Sequence, residues 1–458
     1  MKIQFDQPTS VYFIGIGGVS MSGLAHILMD RGFKVAGSDA HVSANTELLE
    51  KEGATILIGQ KAENITNKYK LVVYTAAIHP DNPEYQQAMK LNIPLMNRKD
   101  LLAEVMEHYH NSIAIAGTHG KTTTTAMLSY IFLAADLDPT ISIGAHFKKI
   151  HGNVRIGHSE AFLAEACEYT NSFLALRPLA SIILNIEEDH LDFFKDLQDI
   201  RNSFHQFVLN TSSEGALIIH SQIDHVEEIV DGYHGQVIQF GLNKGDLCAK
   251  NIQHLRHGGN QFEVWMRDER LGSIELPTGG KHNITNALAA IGVAISFGVP
   301  FEAIQQGLKE FEGADRRFEK KGFYQGAEIV DDYAHHPQEI QATLNMAKDY
   351  PHQRLIMVFQ PHTYSRTKFL FEEFAEVLSQ VDQMVLAPIY AAREIDDGSI
   401  SSDLLAKRIN ELKGNAVSLG SFVEIKDYLK KQLQEGDLCL TVGAGNVYEI
   451  GEELIQES

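Results

Sequence analysis

Short aliphatic and β-branched runs, each closed by glycine or polar residues and followed by a stretch with helical spacing, recur along most of the chain. Val11–Ile14 runs into Gly15-Ile16-Gly17-Gly18 and a helix to about Arg31, Lys34–Gly37 stops at Ser38-Asp39, and Leu71–Tyr74 stops at Thr75-Ala76-Ala77-Ile78. Ile113–Ala116 enters Gly117-Thr118-His119-Gly120-Lys121 and four threonines before a helix predicted over Ala126–Ala135. Ala161–Ala164 and Ala180–Leu184 follow, and an Ala-rich helix is predicted over Ala287–Phe297. Beyond about Lys320 the same alternation returns with strands at Glu328–Val330, Leu355–Phe359, Met384–Ala387 and Leu438–Val442, a helix over Gln338–Lys348 and another reaching about Ser379. Buried strands alternating with helices predict parallel α/β sheets, here two of nucleotide-binding type flanking a phosphate-loop domain.

The chemistry sits where strands end. Glycines let backbone N–H groups converge on an anion, a helix N-terminus adds partial positive charge, and Lys121 reaches phosphate oxygens while a threonine hydroxyl ligates Mg²⁺. The stretch Gly117–Thr123 therefore asks for a nucleoside triphosphate, although its turn is shorter than the usual G-x-x-x-x-G-K-[ST]. Glu165 and His190, after two further strands, are the candidate Mg²⁺ ligands beside it. In the first domain Gly15, Gly17 and Gly18 with Asp39 about twenty residues on match a dinucleotide-type turn with its ribose acid, except that Ser20 replaces the third glycine. Asn283 either caps the Ala-rich helix or presents its amide to a base edge. Arg316 and Arg317, in Asp315-Arg316-Arg317-Phe318-Glu319, are a candidate phosphate clamp. The last domain's loops collect Asp332, His335, His362, Arg366 and Arg393, which should converge on one crevice.

Composition narrows the partners. With 458 residues and 44% hydrophobic the chain has room for two to four domains, and a formal charge of -21 argues against nucleic acid or an anionic membrane as a broad-surface partner. Anionic small substrates then need local cations. Three scattered cysteines give no zinc or disulfide framework, no apolar run is long enough to span a bilayer and no cleavable leader is evident, so a soluble cytoplasmic protein is expected.

Taken together in this order, Gly15-Ile16-Gly17-Gly18 with Met21-Ser22-Gly23, Gly117 to Thr124, Asp315 to Glu319, Asp332-Tyr333-Ala334-His335-His336-Pro337 and Gln360 to Thr367 resemble the Mur ligases, from about Val11 to Gly445. The resemblance implies an α/β fold of three domains: an N-terminal Rossmann-like one holding a UDP-sugar (1–108), a central P-loop ATPase-like one with a mixed sheet (109–319), and a C-terminal Rossmann-like one that binds the amino acid and closes (320–458). It implies ATP and Mg²⁺, with Mn²⁺ as a substitute. Lys121, His335 and Arg366 would be catalytic; Gly117, Thr118, Gly120, Lys121, Thr122, Thr123, Asn283, Arg317 and Asp332 would bind ATP; and Thr122, Glu165 and His190 would hold the metal. Gly15, Gly17, Gly18, Ser22, Asp39, His190, His335, His362 and Arg366 would bind substrate.

The motifs are most similar to those of the branch that adds L-alanine to UDP-N-acetylmuramate. Where sister ligases carry a carbamylated lysine, the stretch Asn202-Ser203-Phe204-His205 has none, which agrees with that branch. Where the family often reads E-A-D-E-S-D, this chain has Glu165-Ala166-Cys167-Glu168-Tyr169-Thr170 and lacks the aspartates. The implied reaction activates a carboxylate as an acyl phosphate and lets an amine displace phosphate. Three rivals stay open: a sibling that attaches a tripeptide to the same UDP-sugar acid, a nicotinamide-dependent oxidoreductase and a non-enzymatic nucleotide-gated switch. The oligomeric state, monomer or homodimer, is open too.

Overall fold

The computed structural model describes residues 3–75, 77–191, 193–255, 259–313, 316–392, 394–412 and 415–457, so Ala76, Asp192, Asp315 and Arg393 of the motifs above lie outside the described residues. It contains three sheets. The first has β1 (Ser10–Ile14), β2 (Lys34–Asp39), β3 (Thr55–Ile58), β4 (Leu71–Tyr74) and β5 (Leu95–Asn97) in the order β3-β2-β1-β4-β5, all parallel. The second has β6 (Asn111–Ala116), β7 (Thr140–Phe147), β8 (Gly152–Arg155), β9 (Ala161–Glu165), β10 (Ala180–Ile183), β11 (Ala216–His220), β12 (Gln236–Gly241), β13 (Leu247–His254), β14 (Asn260–Met266) and β15 (Glu269–Leu276). Their order is β15-β14-β13-β12-β11-β10-β6-β9-β7-β8, with β7 and β8 an antiparallel hairpin at one edge. The third has β16 (Glu319–Tyr324), β17 (Ala327–Asp332), β18 (Arg354–Phe359), β19 (Gln383–Leu386), β20 (Ala416–Ser418) and β21 (Asp437–Val442) in the order β16-β17-β21-β18-β19-β20, parallel except for β16.

Chain contacts divide the molecule into two units: residues 1–253, 261–276 and 284–311, carrying the first two sheets, and residues 254–260, 277–283 and 312–458, carrying the third. In the first unit one apolar cluster runs from Phe13, Leu24 and Leu28 to Phe162, Phe204 and Phe207, all buried. Each such side chain stabilises the fold by about 1.5–3 kcal/mol relative to exposure. The helix Val19–Asp30 seats on the β7–β8 hairpin so closely that a Cβ on Gly23 would stand 2.3 Å from Val154 Cγ2. In the second unit β17, β18, β19 and β21 are covered on both faces, which is why their sequences read as unbroken apolar runs.

Several boundaries differ from the expectation. The helix after the phosphate loop runs Lys121–Ala134, starting at Lys121 rather than Ala126. The threonines' modest helix propensity is overridden by burial, and Thr125 Oγ1 bonds back to Lys121 O at 2.9 Å. The Ala-rich helix likewise starts early, at Lys281, so Asn283 lies within its first turn instead of capping it. The helix expected to reach Ser379 is two, Tyr364–Phe369 and Phe371–Leu378, broken where Leu370 takes φ -103 and ψ 30.

Candidate functional site

The phosphate loop is built by two glycines at positions where any larger residue is strained. Gly117 (φ 140) would drive a Cβ to 2.9 Å from Leu184 Cβ, and Gly120 (φ 86) would drive one to 2.7 Å from Asn286 Oδ1. Both dihedrals lie in the region open to glycine alone at low cost. Between them the loop is pinned to the chain that follows β10. Asn185 Oδ1 accepts from His119 N (2.8 Å) and its Nδ2 donates to His119 O (3.1 Å), Thr118 N donates to Asn185 O (3.3 Å), and Thr118 Oγ1 accepts from Glu187 N (3.0 Å).

Lys121 occupies the centre of this loop. Its Nζ donates to Gly117 O (2.5 Å) and Thr118 O (3.1 Å) and stands 3.3 and 3.1 Å from the two carboxylate oxygens of Glu168, which is buried. Burial alone would lower the pKa of the ammonium; the Glu168 carboxylate outweighs it, with Cys167 and Glu165 adding to the same side, and the net shift is upward. Lys121 is therefore charged and aimed into the loop where phosphate would sit. Thr122 and Thr123, next on the helix, are nearly buried, and the Thr122 hydroxyl has no hydrogen-bond partner among the described residues.

Of the other predicted metal residues, Glu165 acts electrostatically on Lys121, and His190 follows β10 of the same sheet. Glu165 ends β9, the strand paired directly with β6, and its Oε1 accepts from Gly144 N at 2.8 Å. His190 (φ 53) stacks on Tyr169 with ring centroids 4.5 Å apart, and its Nε2 lies 3.7 Å from Asp189 Oδ2. Tyr169 directly follows Glu168, so the ring stack links His190 to the acid that faces Lys121. No group of three or more His, Cys, Asp or Glu side chains among the described residues encloses a metal ion alone. An open set of one hydroxyl, one carboxylate and one imidazole fits Mg²⁺ or Mn²⁺, ions that take few protein ligands when phosphates and water complete the shell.

In the first sheet the glycine turn and Asp39 come together as expected, with Gly17 N donating to Asp39 Oδ2 at 2.8 Å. Gly17 is also sterically required, since a Cβ there would meet Asp39 and Thr46 at 2.9 Å. Ser22 is buried with its hydroxyl donating to Val19 O at 2.9 Å, so the helix itself uses that group.

In the second unit the two arginines separate cleanly. Arg316 (φ 59) turns inward: Nε to Asp331 Oδ2 (2.9 Å), Nη1 to Gly445 O (2.9 Å), Nη2 to Gly443 O (2.6 Å), with the guanidinium over Tyr333 and Tyr448 at 4.9 and 4.5 Å from the ring centroids. Arg317 lies over the Tyr333 ring, at 5.4 Å, and makes no hydrogen bond or ion pair among the described residues. Asp332 accepts from Phe318 N and Ala334 N, both at 2.8 Å, and burial raises its pKa to about 6 against the opposing pull of Arg317. His335, His362 and Tyr390 form a ladder of rings 5.8 and 5.5 Å apart, and Arg366 Nη1 lies 3.3 Å from His362 Nδ1. Burial lowers the His335 pKa more than the neighbouring Glu339 raises it, leaving a neutral imidazole at neutral pH. Asn283 Nδ2 donates to Gly279 O at 2.7 Å, which fixes the glycine turn before its helix.

The three sheets and the lysine-centred phosphate loop define a nucleoside-triphosphate-binding α/β protein with Rossmann-like sheets on either side in sequence. Three family profiles cover nearly all of it: the Mur ligase family catalytic domain over residues 10–110, the Mur ligase middle domain over 115–294, and the Mur ligase glutamate ligase domain over 316–445. The UDP-N-acetylmuramate–L-alanine ligase of Lachnospira eligens is 50% identical over 99% of this chain and 100% of its own length, and that of Caldanaerobacter subterraneus 46% identical over 100% of both. A crystal structure of the UDP-N-acetylmuramate–alanine ligase of Thermotoga maritima superposes with a TM-score of 0.82 at 27% identity, covering 98% of each chain. The chain belongs to the Mur ligase family.

Glu168, Asn185 and Asn286 stand at the phosphate loop, and sequence reasoning did not single them out as site residues. Glu168 had a signal, a second acid three residues after Glu165; the other two had none.

Proposed function

We propose that the protein is an ATP-dependent ligase that joins L-alanine to the lactyl carboxylate of UDP-N-acetylmuramate in peptidoglycan precursor synthesis. The observation that carries this reading is the charged Lys121, held 2.5 Å from Gly117 O inside a loop whose glycines take positive φ and leave little room for a side chain, in a chain half identical along its whole length to ligases of that activity. We place the domain boundaries at 1–108, 109–319 and 320–458 and the reaction in the cytoplasm; no helix among the described residues is long and apolar enough to cross a membrane.

A carboxylate is a poor acyl donor because its leaving group would be oxide. Transfer of the γ-phosphoryl group of ATP to the lactyl carboxylate gives an acyl phosphate, and attack by the alanine amine expels phosphate. Both reactants of the first step are anions, so the residues act by position and charge. Lys121 holds the transferred phosphoryl oxygens, Gly117, Thr118, Gly120 and Thr123 shape the loop, and Arg317, which has no hydrogen bond or ion pair among the described residues, supplies a second cation. Asp332 fixes the backbone at Phe318 and Ala334 next to that arginine. Asn283 serves the adenine end. Thr122, Glu165 and His190 would hold Mg²⁺, which when bound neutralises phosphate charge. His335, neutral at neutral pH, orients or deprotonates the amine beside His362 and Arg366.

The test is phosphate release with ATP, Mg²⁺ and UDP-N-acetylmuramate, comparing L-alanine, glycine, L-serine and a tripeptide. L-Alanine should give the highest kcat/KM. A tripeptide preferred over L-alanine would move the chain to the recycling sibling, and turnover indifferent to any amine would refute the ligase.

A further inference from the structure

The turn that carries His362 and Arg366 is strained. Thr363, a β-branched residue, takes φ 67 and ψ 145, a conformation that persists only where the surroundings over-determine it. Its own hydroxyl accepts from Arg366 N at 3.4 Å, a weak hold on the six-residue helix Tyr364–Phe369 that follows. The stronger ties come from a second loop. Thr363 N donates to Tyr390 O (2.9 Å) and Tyr390 N to Pro361 O (2.8 Å), so that His362 and Tyr390 pair as an isolated parallel bridge.

Glu394, four residues past Tyr390 and half-buried, completes the hold. One of its carboxylate oxygens accepts from Ser365 N at 2.9 Å and the other from the Ser365 hydroxyl. Farther along the same two segments, the Tyr364 hydroxyl donates to Asp396, and Lys368 Nζ donates to Ser399 Oγ at 3.1 Å. Burial by itself would raise the Glu394 pKa; the bonds from Ser365 and Tyr364, with the His362 ring nearby, outweigh it, and the net shift is downward. Glu394 is therefore an anion at neutral pH. Arg366 Nη1 donates to His362 Nδ1, which leaves the imidazole proton on Nε2, and Arg366 is also among the charges that lower the His335 pKa. A displaced Arg366 would thus disturb both histidines, and the residue before it is the one that Glu394 grips.

We propose that Glu394 is a positioning residue for the amino-acid substrate, locking the Thr363 turn so that His362 and Arg366 meet the amino acid as one unit. The assignment rests on the functional reading above, which puts the amino acid beside that pair. A turn released in part of the molecules lowers the apparent affinity in proportion to the fraction that keeps it.

Steady-state phosphate release by the full-length chain, with each of the three substrates varied in turn, decides it. Glu394→Ala should raise the KM for L-alanine roughly 5- to 30-fold, the factor that one helix cap is worth in a conformational equilibrium, with the KM for ATP and for UDP-N-acetylmuramate within about twofold of wild type. Glu394→Gln keeps an oxygen to which Ser365 can donate, so it should recover part of the loss. Lys368→Met cuts the tie to Ser399 and leaves the Thr363 turn alone, so its kinetics should match wild type. Melting temperatures should show all three variants folded. A lower kcat with an unchanged KM for L-alanine would mean only a loss of active molecules, and an equal rise in Lys368→Met would mean that any loosening of the loop suffices. A rise that falls on UDP-N-acetylmuramate would put the pair on the sugar acid, and unchanged kinetics would make the Ser365 bonds idle. Each of these overturns the proposal. A wild-type chain whose phosphate release ignores L-alanine would instead overturn the functional reading, and the proposal with it.

Discussion

Substituting Lys121 and Glu168 singly and together measures how the phosphate loop is held before ATP arrives. The pair lies at 3.1 Å with Lys121 17% and Glu168 3% exposed. Lys121→Met strands a buried carboxylate, and Glu168→Gln leaves the ammonium with two carbonyl acceptors. Removing one partner of a buried pair costs about 3–5 kcal/mol, mostly the penalty of the charge left behind. At about 2–4 °C per kcal/mol for units of this size, each single variant should melt on the order of 10 °C lower. The double variant leaves no orphan charge, so its loss should fall short of the sum by about 2–3 kcal/mol. Thermal and urea unfolding of the full-length chain read the stability. Phosphate release should drop at least about 10²- to 10³-fold in Lys121→Met, the scale of losing one transition-state charge donor, while uridine diphosphate binding persists. Additive destabilisation would show that the two side chains do not act as a pair, and equal loss of ATP turnover and uridine diphosphate binding would show that the loop is not the ATP cradle.

Other variants probe the rest of the site. Arg316→Ala should destabilise the chain by about 3 kcal/mol or more because Asp331 is stranded in the interior, whereas Arg317→Ala should shift stability by no more than about 0.5 kcal/mol and still raise the KM for ATP or lower kcat; melting curves and kinetics on the two variants compare them directly. Gly120→Ala must place a methyl at φ 86 and 2.7 Å from Asn286 Oδ1, which should cost about 1–3 kcal/mol and weaken ATP binding by calorimetry. The folded-state pKa of His335 is lowered, so its contribution to stability is present above the unfolded value of about 6.5 and is lost as pH falls through it; urea unfolding of wild type and His335→Gln at pH 7.5 and 5.5 should show the wild type losing more. Chelation should stop turnover, Mg²⁺ or Mn²⁺ should restore it, and Glu165→Ala should raise the metal concentration needed.

The strands and the phosphate loop were legible because their causes are local: apolar runs, glycines at fixed offsets and a lysine opening a helix. What holds them was not. Asn185 and His119 are 66 residues apart and Lys121 and Glu168 47, and no periodicity marks such pairs. The choice between Arg316 and Arg317 turns on a backbone in which Arg316 and Phe318 are both left-handed, and composition treats both arginines alike. In the first glycine turn, likewise, the amides of Gly15, Gly17 and Gly18 bond to Ser38, Asp39 and Gly15, contacts that the glycine pattern does not announce. β8, β13 and β15 went unread because they are half-exposed and lack a clean apolar run, whereas β11, buried from Ala216 to Ile219, was missed despite having one.

The Asn185 staple on the phosphate loop also has an entropic side. Four residues, Gly117 to Gly120, would otherwise lose about 1–2 kcal/mol of backbone freedom each when a nucleotide ordered them. Their hydrogen bonds to Asn185 and Glu187 mean that folding has already met this cost, so ATP affinity does not carry it. A nucleotide whose phosphates are spaced differently meets a loop that does not remodel to receive it. Selectivity for a triphosphate would then rest on the shape in which folding has already set Gly117 to Gly120.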